Sequence, residues 1–206
     1  MNRKTPDWLM HHGVQGQRWG VKHGPPYPLD RGIYDRAKKE EPNLSKDIQK
    51  VASQNKVQLY GYEHRLKTRE SINRKTKLGK EIKDAVRYTM ILPEKTFVKK
   101  YRSITKDLSN LGYTETVLKN YFKRYSEGTS NHKSIQGNYK SKNGYEFEIQ
   151  YQTTSSQDAK DKKVPLYEEV RNPNVTAKRK IEIVKLMNKL ADSVKDPNDI
   201  FKIQEH

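Results

Sequence analysis

The stretch Ser134–Thr153, SIQGNYKSKNGYEFEIQYQT, predicts a β-hairpin. Two runs of alternating polar and apolar residues flank Asn143-Gly144, a pair that favours a tight primed turn because both residue types tolerate a positive φ. In the second run the apolar side chains share one face, since successive strand residues point to opposite sides; they are Tyr145, Phe147, Ile149 and Tyr151. This face is suited to a hydrophobic core.

The opposite face of the same strand carries carboxylates and amides, namely Glu146, Glu148, Gln150 and Gln152. Groups of this kind, held side by side on a rigid strand, are suited to binding a metal ion or a phosphate. The alternative is an outer face in contact with solvent, which is the common situation for polar residues. The strand alone does not decide between the two.

The composition predicts one compact domain with additional arms. The chain has 206 residues, of which 32% are hydrophobic and 33% are charged, so the core must be small for the length. The absence of cysteine excludes a disulfide framework and thiolate metal sites, and it fits a reducing compartment. No apolar run reaches the length of a membrane span, and the first residues lack the apolar core of a signal peptide, so we expect a soluble protein.

The charge balance points to a polyanionic partner. The chain has 42 lysines and arginines against 25 acidic residues, a formal net charge of +17. Such an excess favours RNA, DNA, nucleotides or anionic lipid through electrostatic steering and counterion release. A lysine-rich surface can also serve solubility alone, which remains the alternative.

Residues 1–43 are predicted to form a flexible N-terminal arm or docking segment, with a charged linker at Lys38–Pro42. Its apolar residues would anchor it to the body of the protein or to a partner; they are Trp8, Leu9, Val14 and Trp19. The histidines at 11, 12 and 23 lack the spacing and the neighbouring ligands of a metal site. The segment HHGVQGQRWGVKHG (11–24) resembles a short element at the start of many phage and mobile-element proteins, often structural ones.

A helical region is predicted from Leu44 to about Leu78, and its second half carries a dense basic cluster: Arg65, Lys67, Arg69, Arg74 and Lys75. Ser71 is predicted to be an N-cap beside this cluster. Basic residues at the start of a helix form a natural phosphate site, and the alternative is a basic helix that merely faces solvent.

The remaining pattern predicts a mixed sheet. A strand is expected over Glu81–Leu92 with Asp84 near its start, then a helix from Phe97 to Leu111 and a strand over Tyr113–Arg124. After the hairpin we expect a short helix following Pro165. A last helix, capped by Thr176, would bury a stripe comprising Ile181, Val184, Met187, Leu190, Ala191 and Val194. The fold class is therefore α/β (α+β), a mixed central β-sheet flanked by helices, with domain boundaries at 44–172 and a C-terminal helical part at 173–206.

Three polar features lie on separate predicted elements: the Arg65/Lys67 cluster, Asp84, and Glu148 with Gln150. Together they fit phosphoryl transfer. Two carboxylates can hold Mg²⁺, basic side chains can take the phosphate charge, and one carboxylate can accept a proton from an attacking hydroxyl. The glycine-rich phosphate-binding fingerprints are absent, and no serine or cysteine triad stands out.

Four segments in order resemble the successive motifs of the RelA/SpoT-type alarmone synthetases: HRLKTRESINRK (64–75), IKDAVRYTMIL (82–92), NHKSIQ (131–136) and FEIQYQT (147–153). The match covers roughly residues 57–170. The resemblance implies that ATP phosphates are bound by Arg65, Lys67, Ser71 and Lys75, with Arg87 accompanying Asp84. It implies that Asp84 and Glu148 are catalytic and hold the metal, Mg²⁺, and that Gln150 follows the essential glutamate on its strand.

The acceptor motif of that family is altered here. Its Gly-Tyr-Arg-Ser-Leu-His pattern reads Asn131-His132-Lys133-Ser134-Ile135-Gln136, so His132 stands where the family's tyrosine stacks on guanine. The resemblance implies that the acceptor is held by His132, Lys133, Ser134, Gln136 and Gln150. Some toxins of this fold transfer pyrophosphate to the 3′ end of tRNA, an acceptor that the net charge would suit.

The sequence is compatible with two functions from different classes. In the first, the protein is a pyrophosphotransferase that moves pyrophosphate from ATP to a nucleotide or to a tRNA 3′ hydroxyl, as a phage or mobile-element effector or toxin in the bacterial cytoplasm. In the second, it is an inactive RNA-binding or virion-associated module that uses the same fold. In either case the arm would contact a phage structural protein or an antitoxin. The two functions differ in whether Asp84 and Glu148 face one basic cleft.

Overall fold

A computed structural model describes residues 32–77 and 81–206. Its α-helices are α1 (Ile33–Gln54), α2 (Arg69–Lys77), α3 (Phe97–Asn110), α4 (Tyr121–Ser126), α5 (Thr154–Arg171) and α6 (Ala177–Asp192). Its strands are β1 (Gln58–Leu59), β2 (Arg87–Ile91), β3 (Thr114–Asn120), β4 (Ile135–Lys140) and β5 (Glu146–Gln152). The predicted histidines, apolar anchors and phage-like segment of the arm lie outside the described residues.

The predicted hairpin is confirmed as the antiparallel pair β4–β5, in which Gly137 faces Ile149 and Asn138 faces Glu148. Its turn differs from the prediction. Within the loop only Gly144 has a positive φ, of 80°, whereas a primed type I′ turn needs two such residues. Ser141 and Tyr145 close a three-residue loop, and the Gly144 N–H donates to the Ser141 carbonyl at 2.9 Å. Gly144 therefore supplies the left-handed residue of a bulged three-residue hairpin.

The five strands form one mixed sheet in the order β1-β2-β5-β4-β3, as the predicted fold class requires. The pair β2–β5 is parallel and places Arg87 beside Glu148, and all other pairs are antiparallel. One face is apolar and is covered by α1 and α3: the Tyr88 hydroxyl lies 2.8 Å from Ser45 Oγ of α1, and the ring of Tyr101 on α3 packs edge-on against Tyr151. The predicted apolar face of β5 is buried here, with each of its residues at most 7% exposed.

Helix α1 begins eleven residues before the predicted start at Leu44 and contains the predicted linker Lys38–Pro42. The linker prediction is wrong because this charged segment is helical: Lys38 and Lys39 are exposed on its outer side, whereas Glu41 is buried. Pro42 removes one intrahelical hydrogen bond, but buried Ala37, Leu44 and Ile48 pack the helix on the sheet. The helix also crosses the position at which the sequence placed a domain boundary.

Several other predicted bounds shift. The helix α3 matches its prediction, with Phe97, Tyr101, Ile104 and Leu108 buried. The strand predicted to run to Arg124 ends at Asn120, whose side chain accepts from the Lys123 N–H at 3.1 Å and caps α4. The strand predicted from Glu81 begins at Arg87, so Asp84 precedes it. The helical region predicted over 44–78 is divided, because β1 and a loop separate α1 from α2.

The last two helices differ more from the sequence pattern. Helix α5 begins after Thr153 and runs through Pro165, where the sequence predicted a new helix. Thr176 does cap α6, accepting from the Arg179 N–H at 3.2 Å. The buried stripe of α6 is Ile183, Met187 and Ala191, while the predicted members Ile181 and Val184 are 59% and 44% exposed. The prediction is confirmed for Met187, Ala191 and Val194 and wrong for Ile181 and Val184, because Ile183 is the residue buried in the first half of α6, which packs on α5.

Candidate active site

The site lies on the polar face of the sheet, where the strand register aligns side chains in rows. One row contains Asn138, Glu148 and Arg87, and the next contains Lys119, Gln136, Gln150 and Thr89. Helix α5 covers one end of this face, so Gln150 and Gln152 are only 5% and 2% exposed. The alternative of a solvated outer face is therefore wrong for these two residues.

Asp84 occupies the loop before β2 and is enclosed by two ammonium groups. Lys67 lies 2.9 Å from its Oδ2, and Lys75 of α2 lies 2.9 Å and 2.7 Å from its two oxygens. Burial acts to raise the pKa of the Asp84 carboxyl, but the charges and hydrogen bonds of Lys67 and Lys75 outweigh it and hold that pKa below its usual value. Burial together with the Arg87 charge lowers the pKa of Lys67.

Asp84 and Glu148 line the same open cleft, which has a volume of about 350 Å³. Three lysines share the lining, at positions 75, 83 and 119, and Lys83 also pairs with Glu146 at 3.3 Å. The two acids thus line one cleft, and a third carboxylate, Glu81, lines it as well. A cleft lined by both carboxylates and lysines can receive a polyphosphate together with its metal ion.

Glu148 is connected to a half-buried lysine, Lys160, through Gln150. The Gln150 amide donates to Glu148 Oε1 at 2.6 Å, and Lys160 of α5 donates to Gln150 Oε1 at 2.7 Å. Burial, reinforced by the Arg87 charge, lowers the pKa of Lys160 to about 8. Lys160 was not among the predicted site residues, because the sequence pattern predicted a helix only after Pro165. The capping sequence beginning at Thr153 was the signal that a helix starts there.

Arg65 does not join this cluster. Its guanidinium pairs with Glu41 of α1, donates to the Tyr62 carbonyl at 3.0 Å and lies 4.2 Å from the Tyr62 ring centre. The predicted Arg65/Lys67 pair is thus divided between α1 and the cleft. Ser71 lies inside α2 rather than at its N-cap: its N–H donates to Thr68 Oγ1 at 3.3 Å, which places Thr68 in the capping role.

Arg87 projects from the same row as Glu148 and influences both Lys67 and Lys160 electrostatically. Within residues 32–77 and 81–206, no acceptor or carboxylate bonds its guanidinium. A guanidinium without an internal partner beside a cleft can bind an incoming phosphate.

The predicted acceptor segment, residues 131–136, contacts side chains and backbone of neighbouring elements. The His132 ring stacks on Tyr121 at 4.2 Å between centres, and burial together with the Lys163 and Lys160 charges lowers the His132 pKa to about 4, so the imidazole is neutral. Lys133 donates to the Val194 carbonyl at 2.7 Å and pairs with Asp196 at 3.0 Å, and it lines neither the cleft nor the small pocket of the other acceptor residues. Ser134 and Gln136 line a separate small pocket together with Lys160.

The oxygen donors of the cleft suit a divalent metal ion only if a bound polyphosphate supplies further ligands. Among the described residues no group of three or more histidines and carboxylates is arranged to hold an ion. Asp84 and Glu148 supply hard oxygen ligands in one cleft, but Lys67 and Lys75 neutralise Asp84. Mg²⁺ is commonly bound by one or two carboxylates plus substrate phosphates, and such phosphates would also draw the lysines from Asp84. The donors therefore fit a Mg²⁺ ion that enters with a polyphosphate.

Across the part of the chain that the structure describes, no helix combines the length and apolarity that crossing a lipid bilayer requires.

No protein-family model matches this chain, and no curated protein matches it. Solved structures do match. Small alarmone synthetase 2 from Bacillus subtilis has a TM-score of 0.57 and 14% identity, over 79% of this chain and 90% of that chain. The Type VI effector Tas1, in complex with its immunity protein, has a TM-score of 0.51 and 16% identity, over 79% and 94%. Small alarmone synthetase 1 from Bacillus subtilis, bound to its product pppGpp, has a TM-score of 0.50 and 15% identity, over 77% and 88%.

These likenesses establish the fold. The RelA/SpoT-type synthetase fold that the four ordered motifs implied is confirmed, as a mixed five-stranded sheet with flanking helices. At identities of 14–16%, these likenesses show the fold alone, because one fold can host many functions.

Proposed function

We propose that the protein transfers pyrophosphate from ATP to a hydroxyl of a nucleotide or of a tRNA 3′ end. The observation that carries this proposal is that Asp84 and Glu148, from different parts of the chain, line one cleft together with three lysines. The fold is shared with alarmone synthetases and with an effector, which supports the same chemistry.

The cleft residues divide into donor and acceptor roles. Lys67, Lys75 and Arg87 bind the triphosphate, and Asp84 with Glu148 would hold Mg²⁺, which neutralises phosphate charge when bound. Glu148 accepts the proton of the attacking hydroxyl. The acceptor oxygen bonds to the β-phosphorus, the bond from that phosphorus to the α-phosphate oxygen breaks, and AMP leaves.

The test is incubation of the protein with β-labelled ATP, Mg²⁺ and candidate nucleotides or tRNA. Glu148→Gln should lower transfer by at least about 10²-fold, because it removes the proton acceptor. Its stability should change little, since the residue lies on the polar face and lines an open cleft. The matched control is Glu146→Gln, two residues earlier on the same face and paired with Lys83 at the rim. Equal transfer by the two variants would remove Glu148 from the mechanism.

A second function, binding of RNA without catalysis, has one observation in its favour. Both oxygens of Asp84 bond lysines, and Lys133 of the acceptor segment is engaged elsewhere. An inactive module predicts RNA binding that weakens steeply with salt and does not require Mg²⁺. Absence of labelled product with every acceptor, together with such binding, would favour it.

In the cell we propose a bacterial cytoplasmic effector of phage or mobile-element origin, restrained by an antitoxin-type partner. The support is that Tas1, which shares the fold, was solved in complex with its immunity protein. Co-expression of a neighbouring gene product that abolishes toxicity and co-purifies with the chain would be the expected result.

A further inference from the structure

A second, smaller pocket of about 150 Å³ lies on the same polar face of the sheet, where α5 crosses it. It is lined by the side chains of His132, Ser134, Gln136, Gln152, Lys160, Lys163 and Tyr167. The lining contains two lysines and no carboxylate. Its volume has room for a group the size of a tetrahedral oxyanion, since a water molecule in the liquid takes about 30 Å³.

Both lysines are poorly satisfied within the described residues. The Lys160 ammonium donates to Gln150 Oε1, the Lys163 ammonium donates to the Asn131 carbonyl, and neither lies within 4.0 Å of a carboxylate there. Lys163 is only 2% exposed. An ammonium has three N–H donors, and burying it without a charged partner is costly, so an anion in the pocket would supply what the protein lacks.

An independent feature of the pocket is the hydroxyl of Ser134. This residue is 1% exposed, and its Oγ has no hydrogen-bond partner in the structure described. Buried polar atoms are nearly always satisfied, so an orphan hydroxyl that lines a pocket indicates a ligand. The neutral His132 ring completes the wall without adding charge.

The position of the pocket relates it to the proposed reaction. Lys160 contacts Gln150, which contacts Glu148, and two residues along a strand span about 6.6 Å. We propose that this pocket is a phosphate-binding subsite, built from Lys160, Lys163 and Ser134, that holds a phosphate group of the acceptor beside Glu148. The phosphate site stands on its own geometry, whereas its assignment to the acceptor rests on the proposed function.

The direct test omits ATP and Mg²⁺. The urea midpoint of the full-length protein is measured with inorganic phosphate and with sodium chloride at equal ionic strength. Ligand binding to the folded state raises stability, so phosphate should raise the midpoint beyond its general salting effect. The excess should vanish in the double variant Lys160→Met, Lys163→Met and persist in Lys162→Met, an exposed neighbour on the same helix.

The double variant is expected to fold, because it removes one half-buried and one buried lysine, neither of which pairs with a carboxylate among the described residues. Should it fail to fold, Ser134→Ala and Lys160→Gln provide smaller changes, each expected to weaken phosphate binding several-fold. An equal phosphate response in Lys162→Met and in the pocket variants would overturn the subsite.

The pH dependence gives a second measurement. Burial, together with the Arg87 charge, lowers the pKa of Lys160 to about 8, and burial lowers that of Lys163 to about 8. A bound anion favours the charged lysines, so sulfate binding at pH 8 should take up protons and weaken as the pH rises to 9.5. The charged and titratable groups acting on these lysines are Lys67, Arg87, Lys133, Glu148, Asp161 and Asp192, with His132 in the wall. No proton uptake, or tighter binding at high pH, would contradict the assignment.

A comparison of nucleotides with nucleosides separates the subsite from the reaction. AMP or GMP should protect the protein more than adenosine or guanosine, and the difference should disappear in the double lysine variant. Glu148→Gln should keep this difference, because the pocket does not include Glu148. If phosphate alone binds and nucleotides do not, the acceptor assignment fails; if transfer fails while nucleotides bind, the proposed function fails instead.

Discussion

Asp84 shows how one carboxylate can serve both stability and chemistry. Its two oxygens bond Lys67 and Lys75, which arrive from a loop and from α2. The carboxylate thereby compensates two cations that would otherwise repel each other beside Arg87. The same arrangement keeps the lysines poised at the cleft in which Glu148 lies.

Asp84→Asn should destabilise the protein by about 1–3 kcal/mol at pH 7, because it leaves two ammonium groups without their charge partner. The pKa of Asp84 is lowered in the folded state, so its stabilisation is present above the unfolded value near 3.8 and is lost as the pH falls through the lower folded value. Urea unfolding at pH 7 and at pH 2.5 measures the difference between wild type and variant.

The matched control for Asp84 is Asp199→Asn. Asp199 pairs with Lys202 on an exposed turn, where an ion pair contributes little. A gap between Asp84→Asn and wild type that stayed constant from pH 7 to pH 2.5 would show that the stabilisation does not come from the ionised carboxylate.

At the scale of elements, α5 determines which part of the polar face is buried. It starts with a capping box: Thr153 Oγ1 accepts from the Ser156 N–H at 3.0 Å, and Ser156 Oγ accepts from the Thr153 N–H at 2.9 Å. The helix then carries Lys160 and Lys163 over the sheet. The cap fixes where α5 begins, and the start of the helix sets the positions of Lys160 and Lys163 over the sheet.

Thr153→Ala should cost about 1 kcal/mol of folding stability, because the first turn of α5 loses its cap. The comparison is with Thr154→Ala, one residue on and exposed, which should change stability by less than about 0.5 kcal/mol. Urea denaturation of the two variants provides the measurement. Equal losses would mean that the cap does not contribute to the stability of α5.

At the scale of the whole molecule, the segment from Ile200 to His206 closes the β3 side of the sheet. The Leu118 N–H donates to the His206 carbonyl at 2.9 Å, and Glu205 accepts from the Asn120 N–H at 2.6 Å and from Arg124 at 2.8 Å. Ile200 and Ile203 are buried beneath this contact. The segment therefore covers a strand edge that would otherwise be open to pairing with another chain.

Deletion of residues 200–206 should destabilise the protein by several kcal/mol, since two buried isoleucines and the edge hydrogen bonds are lost. It should also promote aggregation, because the β3 edge is uncovered. Urea denaturation and light scattering measure the two effects, and Phe201→Ala, at a side chain that is 46% exposed, is the control. A deletion protein as stable and as monodisperse as the control would contradict this role.

The sequence by itself determined the parts of the fold that depend on local periodicity. The alternation in β5, the 3–4 spacing of α3 and the Thr176 cap were all predicted, since each depends on residues that are near in the chain. Predictions from the sequence pattern were wrong where tertiary packing had the larger effect. Helices α1 and α5 both continue through a proline, and α6 buries Ile183 instead of Ile181. Helix propensity is a weak preference that burial against neighbouring elements overrides.

The candidate site also has features that the sequence predicts and features that only the tertiary structure determines. Asp84, Lys67, Lys75 and Glu148 could be named from the sequence; Asp84, Lys75 and Glu148 line one cleft, and Lys67 pairs with Asp84. Their roles in a reaction stay a prediction. Only the tertiary structure directed Arg65 to Glu41 and Lys133 to Val194, and only it brought Lys160 to Gln150. The type and spacing of residues indicate what a side chain is able to bind. Which group it actually contacts depends on parallel strand pairing and on helix packing between segments that are distant in the chain.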